Sequence, residues 1–153
     1  MNNIKEIFLK KDLVAMLKKL KADKKGNWGI MNAQQMVEHF ADAVKNANGK
    51  LVLPLLNEGE RLQKSREFLM SEDPFKENIK NPLLPEEGFK LRKPDMESAI
   101  NKLQKELDYF FEIFEKHPDI KTGNPFFGQL DYNMNVQLLH KHAMHHLKQF
   151  GLA

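Results

Sequence analysis

The chain has 153 residues, 41% of them hydrophobic and 29% charged, and its formal net charge is +3. These values are typical of a soluble globular protein, so residues 1–153 are predicted to form a single domain. The chain has no cysteine, which excludes disulfide bonds and thiolate ligands and leaves nitrogen and oxygen to bind any metal ion. The densest basic run, residues 18–25, is typical of a solvated helix face, so no nucleic-acid partner is expected.

Neither a signal peptide nor a membrane span is predicted. The first residues, MNNIKEIFLKKDLV, lack the apolar segment of a signal peptide. No other segment approaches the roughly 20 apolar residues that cross a bilayer as a helix. We therefore expect a cytoplasmic protein that does not bind membranes.

Apolar periodicity and capping residues predict the first two helices. A short N-terminal helix is expected to begin at Asp12, as its N-cap, and to end near Gly26. The second helix should begin after Asn32, because Gln35 stands where a capping-box partner is found. It should end near Gly49, where a glycine C-cap is common.

The remaining pattern predicts three more helices and a long loop. Residues 51–56, LVLPLL, are predicted to form a buried connector, followed by a helix over residues 58–70. A long helix should span residues 95–117, and a final one should follow Asp131 and extend to Leu152. With no convincing strand, this pattern indicates an all-α fold built as a helical bundle.

Residues 71–94 between the third and fourth helices show neither a helical nor a strand period and are rich in proline. A structureless loop of this length is often a lid or a binding loop. A surface crossover that joins two helices of a bundle explains the segment about equally well. The role of this loop therefore stays open.

Four of the six histidines lie within seven residues of the final helix. His142 and His146 are one turn apart and project from the same face, with His145 at its margin. His140 lies about 160° away from His142. A histidine pair at this spacing suits a metal ion, but Ala143 stands where helical metalloproteases have a glutamate base. The pair therefore predicts a metal site without a built-in base.

A third ligand must come from elsewhere, and His39 is the best candidate because it lies within the apolar face of the second helix. Asp42, His145, Gln149 and Trp28 are candidates to orient a ligand or to contact a substrate. The alternative is that His39 is a hydrogen-bonded core residue and that several histidines of the last helix face solvent.

The segment HAMHHLKQ, residues 142–149, resembles the terminal-helix signature of the DinB/YfiT-like superfamily. WGIMNAQQMVEHF, together with NPFFGQL and HHLKQFGL, resembles one uncharacterised branch of it. The resemblance implies a four-helix bundle, here with an additional short N-terminal helix. It also implies a divalent metal ion, commonly nickel or zinc, held by His39, His142 and His146, with His145 beside them. Characterised relatives include S-transferases and isomerases that use bacillithiol or mycothiol, so a low-molecular-weight thiol is an implied cofactor.

The chain also departs from the superfamily pattern. Leu147 stands where many members have arginine, and Lys148 replaces a common glycine. Asn124 replaces the histidine of a His-Pro pair that is frequent in that branch, and no tryptophan opens the last helix. These differences leave the three implied ligands in place and leave the substrate unassigned.

Three hypotheses follow from the sequence. The first is a metal-dependent enzyme, a thiol S-transferase or a hydrolase, that acts on an unidentified small molecule. The second is a non-catalytic module that binds a metal or a small ligand. The third is a helical interaction protein whose histidines have no common role. A homodimer is compatible with the family and is left open.

Overall fold

The computed structural model describes residues 3–77 and 90–153. The described chain is mostly helical, as predicted. In chain order, its helices are α1 (Asn3–Ile7), α2 (Leu13–Leu17), α3 (Ala33–Ala47), α4 (Gly59–Met70), α5 (Met96–Lys116) and α6 (Tyr132–Gln149). A π-helical segment, Phe8–Asp12, joins α1 to α2. Of the predicted loop over residues 71–94, residues 78–89 lie outside the described part.

The prediction for the N-terminal helix was wrong at both ends. Helical backbone already begins at Asn3, and Asp12 lies within it, at φ −97° and ψ −37°, without a capping hydrogen bond from its side chain. The helix extends upstream because Leu9 is buried together with Leu13. Regular helix ends at Leu17, where the backbone turns. Further along, the carbonyls of residues 22 and 24 accept hydrogen bonds from the first N–H groups of α3.

The predicted caps of the long helices are confirmed. Asn32 and Gln35 form both hydrogen bonds of a capping box at α3, each 2.9 Å long. Asp95 and Asp131 accept hydrogen bonds from backbone N–H groups in the first turns of α5 and α6. These bonds satisfy N–H groups that have no partner within the helix, which fixes where each helix begins.

Three other predictions, on a helix end, on strands and on the burial of a connector, need correction. The final helix ends at Gln149, three residues before Leu152, because Gly151 adopts a left-handed conformation with φ +74°. A two-stranded antiparallel sheet, β1 (Thr122–Asn124) and β2 (Gly128–Leu130), lies where no strand was predicted. The connector over residues 51–56 is not buried, since Val52 is 86% exposed. The end of this connector contacts the hairpin turn, where the Leu56 N–H donates to the Pro125 carbonyl at 2.7 Å.

The main core lies between α3, α5 and α6. The most extensive helix contact joins α3 to α5, and α6 also packs against α3. Phe40, Phe110 and Leu139 are among the fully buried side chains of this core. A smaller apolar cluster, which includes Leu69 and Leu138, connects α4 and the hairpin to α6. The two helices that carry the candidate ligands therefore face each other across the same core.

A buried carboxylate ties α5 to the end of α3. The Glu106 side chain has no exposed surface, and Lys102 and Lys50 bind it at 2.6 Å and 3.2 Å. Asn48 donates to the same carboxylate at 3.0 Å. Burial by itself raises the pKa of Glu106, but these hydrogen bonds outweigh burial and lower the pKa to about 2. Glu106 is therefore ionised at neutral pH.

In the described part of the chain, no helix combines the length and the apolar character that crossing a bilayer requires. The basic residues of the run over residues 18–25, all of them lysines, are exposed, as expected for a solvated face.

Candidate metal centre

Three histidines meet between α3 and α6. His39 comes from α3, and His142 and His146 come from successive turns of α6. One ring nitrogen of each lies within 4.8 Å of the others, and no other group of three or more potential ligands this close occurs among residues 3–77 and 90–153. The Nε2 atoms of His142 and His146 are 2.8 Å apart. The His39 ring centroid is 5.2 Å from that of His142 and 5.4 Å from that of His146.

These distances fit a single metal ion. Zinc binds imidazole nitrogen at about 2.0–2.1 Å, so tetrahedral ligands lie about 3.3 Å from one another. Here the Nε2 atoms of His142 and His146 are 2.8 Å apart, and no two of the three ligand nitrogens are more than 4.8 Å apart. Shifts of about 1.5 Å or less, which side-chain rotation supplies, would bring all three to one ion. The three residues could therefore hold a divalent metal.

Burial keeps the three imidazoles neutral. Removal from water lowers the pKa of His39 to about 4 and that of His146 to about 3, and it lowers the pKa of His142 well below the ordinary value. The rings also lower one another's pKa, whereas the charge of Asp42 raises that of His39. Neutral imidazole is the form that donates a lone pair to a metal.

Two of the predicted supporting residues lie around His146. Gln149 Oε1 is 2.8 Å from His146 Nδ1, and Gln149 Nε2 donates to the Trp28 carbonyl at 2.9 Å. The Trp28 ring contacts His145 edge-on, with 5.6 Å between the centroids. Gln149 therefore touches a candidate ligand directly, whereas Trp28 reaches that ligand through Gln149.

Asp42 acts on the site through its charge, which raises the pKa of His39. Its carboxylate accepts two hydrogen bonds from the Arg92 guanidinium, at 2.8 Å and 3.2 Å. His145 lies at the margin of the site, where burial lowers its pKa and a hydrogen bond to the Phe75 backbone raises it. His140 packs against Phe8 in the N-terminal helical segment, with 5.4 Å between the ring centroids.

Sequence reasoning did not single out the residues that hold the two ends of the long loop. Glu38 is buried and accepts hydrogen bonds from the backbone N–H groups of Arg92 and Lys93 at 2.8 Å and 3.3 Å. Lys141, also buried, donates to the carbonyls of Ser71 and Asp73.

Helical spacing could have predicted the position of Lys141. It lies three residues after Leu138 and four residues before His145, so it shares their face of the last helix. One end of the loop is thus held on α6 and the other on α3, the two helices that carry the histidines.

A cleft of about 450 Å³ is lined by His140 and His145 and by none of the three candidate ligands. Trp28, Phe75, Met144 and His145 form part of its wall. The Phe75 ring is 6.2 Å from His142 and 6.0 Å from His145, so it stands between the cleft and the candidate ligands. Pockets for small molecules commonly have volumes of about 300–1,000 Å³. A shallow depression of about 500 Å³ on α4 has no histidine in its wall.

Comparison with protein-family models, with curated proteins and with solved structures gave no match to this chain.

Proposed function

We propose that the chain binds a divalent metal ion, nickel or zinc, through His39, His142 and His146. The observation that carries this proposal is the convergence of three neutral imidazoles from two helices, with His146 buried and His39 and His142 half-buried. The chain has no cysteine, so the donor set is nitrogen only, which suits either ion. The motif resemblance at residues 28–40 and 142–149 supports the same three residues and membership of the DinB/YfiT-like superfamily.

The helical arrangement supports the same family proposal. We take α3, α4, α5 and α6 as the four helices of the bundle and the segment from α1 to α2 as the additional N-terminal helix. Contacts between α3 and α5, between α3 and α6, and between α4 and α6 support this assignment.

We further propose that the protein is a metal-dependent enzyme of the thiol S-transferase or hydrolase type. When bound, the ion supplies a Lewis acid with coordination positions that the protein does not fill. Gln149 holds His146, and the cleft walled by Trp28, Phe75 and His145 has room for a small molecule, separated from the candidate ligands by the Phe75 ring. No cysteine is available as a nucleophile, so the attacking group would be a bound one, such as a low-molecular-weight thiol.

The apolar cover of the histidines favours a second candidate, a metal-binding module without catalytic activity. The Phe40 ring centroid is 5.0 Å from that of His142, and Phe75 covers another side. Metal-loaded protein incubated with thiols and electrophilic substrates distinguishes the two. Turnover supports the enzyme, whereas a metal that only raises the melting temperature supports the module.

Metal analysis of the untagged protein tests the proposal common to both candidates. We expect about one ion per chain in the wild type and none in His39→Ala or His142→Ala, because two histidines seldom hold an ion. His140→Ala is the matched control, since His140 lies on the same helix and packs on Phe8. The proposal is overturned if the wild type, purified without chelator, contains no metal and takes up none on titration.

A further inference from the structure

Residues 26–29, with the sequence Gly-Asn-Trp-Gly, wrap around the side chain of Gln149. The Asn27 N–H donates to the Gln149 carbonyl at 2.7 Å. The Trp28 carbonyl accepts from the Gln149 side-chain amide at 2.9 Å. The segment therefore binds Gln149 through both its backbone and its side chain. We refer to residues 26–29 and Gln149 together as the glutamine clamp.

The clamp determines which way the Gln149 amide points. The Trp28 carbonyl can only accept a hydrogen bond, so the amide NH₂ group must face it. Gln149 Oε1 then faces His146 Nδ1, 2.8 Å away. An amide oxygen can only accept, so Nδ1 must carry a proton. A neutral imidazole has one ring proton, which leaves the lone pair on His146 Nε2.

We infer that the glutamine clamp is a positioning device that holds His146 in the tautomer with the proton on Nδ1 and so directs its Nε2 lone pair at His142 Nε2, 2.8 Å away. Its effect on metal affinity rests on the proposed function, whereas its effect on the tautomer does not. A second partner that fixes ring orientation is common among metal-binding histidines. Here the backbone of a separate loop holds that partner in place.

Two glycines allow the loop to come this close. A Cβ atom at Gly29 would lie 2.8 Å from Gln149 Nε2, and Gly29 has a φ of +81°. A Cβ atom at Gly26 would lie 2.9 Å from the Trp28 carbonyl oxygen and 3.0 Å from Gln149 Cγ. Any side chain at Gly29 would therefore displace the amide that holds His146.

Nitrogen-15 NMR of the histidine rings in metal-free protein tests the tautomer. We expect the Nδ1-protonated form of His146 in the wild type and a mixture of tautomers in Gln149→Leu. Gln149→Glu should keep the proton on Nδ1, because a carboxylate also accepts from Nδ1, although it cannot donate to the Trp28 carbonyl. Gln137→Leu is the matched control, since Gln137 is a buried α6 glutamine that bonds Ser71 and Lys5. A wild type with the proton on Nε2, or an unchanged tautomer in Gln149→Leu, overturns the inference.

Competition titrations with zinc and nickel test the consequence for binding. We expect Gln149→Leu and Gly29→Ala to weaken affinity by about 10- to 100-fold, the usual effect of removing such a partner. Gly59→Ala controls for backbone strain, because Gly59 has a φ of +61° and its Cβ would meet no described atom within 4 Å. Unchanged affinity in Gln149→Leu and Gly29→Ala overturns the inference. Absence of wild-type binding overturns the proposed function instead and leaves the NMR result to decide the tautomer.

Discussion

Replacing Glu106 by glutamine should destabilise the protein at neutral pH, and the loss should shrink as the solution is acidified. The folded-state pKa of about 2 lies below the ordinary value of 4.5 for a glutamate side chain. Each pH unit of difference corresponds to about 1.4 kcal/mol, so ionised Glu106 stabilises the folded state by about 3 kcal/mol at pH 7. This stabilisation is complete above pH 4.5 and is lost as the pH falls from about 4.5 to about 2.

Urea denaturation at several pH values between 7 and 3 measures this effect. Wild type should be more stable than Glu106→Gln by up to about 3 kcal/mol at pH 7, with a smaller difference at pH 3. Glu112→Gln is the control, because the exposed Glu112 pairs with Lys116 one turn away on the same helix, and its replacement should change little. Parallel stability curves for wild type and Glu106→Gln over this pH range would refute the assigned pKa.

Three further predictions concern the helix cap and the surroundings of the histidines. Asn32→Ala removes the capping box of α3 and should cost about 1 kcal/mol in urea denaturation; an unchanged midpoint would contradict the cap. Lys141→Met leaves the carbonyls of Ser71 and Asp73 without their ammonium partner, so it should lower the free energy of unfolding by about 1–3 kcal/mol. The variant should also be cleaved faster by proteases near residues 71–77, and equal digestion rates for variant and wild type would contradict this prediction. Phe75→Ala removes the ring between the cleft and the histidines, so a chelator should strip a bound ion faster than from wild type.

Helices with side-chain caps could be predicted from the sequence, because each cap is a local hydrogen bond between residues three apart. Asn32, Asp95 and Asp131 all form the expected bonds. The start of α1 could not be predicted in this way, since Asp12 has the residue type of an N-cap but lies inside helical backbone. The hairpin strands have three residues each, too few to show an alternating pattern.

The candidate site could be predicted in part. The spacing of His142 and His146 places them on one helix face, and this property is local to the helix. Their distance from His39 depends on how α3 packs against α6, which no local pattern specifies. The contact between Gln149 and the Trp28 carbonyl joins residues 121 positions apart, so only the folded chain reveals the clamp.

A crystal structure of the metal-loaded protein, with anomalous data collected at the absorption edge of the added zinc or nickel, tests the central claim most directly. We predict one anomalous peak per chain, at about 2.0–2.1 Å from a ring nitrogen of each of His39, His142 and His146. The clamp further predicts that the nitrogen of His146 is Nε2. A peak bound to other side chains, or loaded crystals with no peak between α3 and α6, would contradict the three-histidine site.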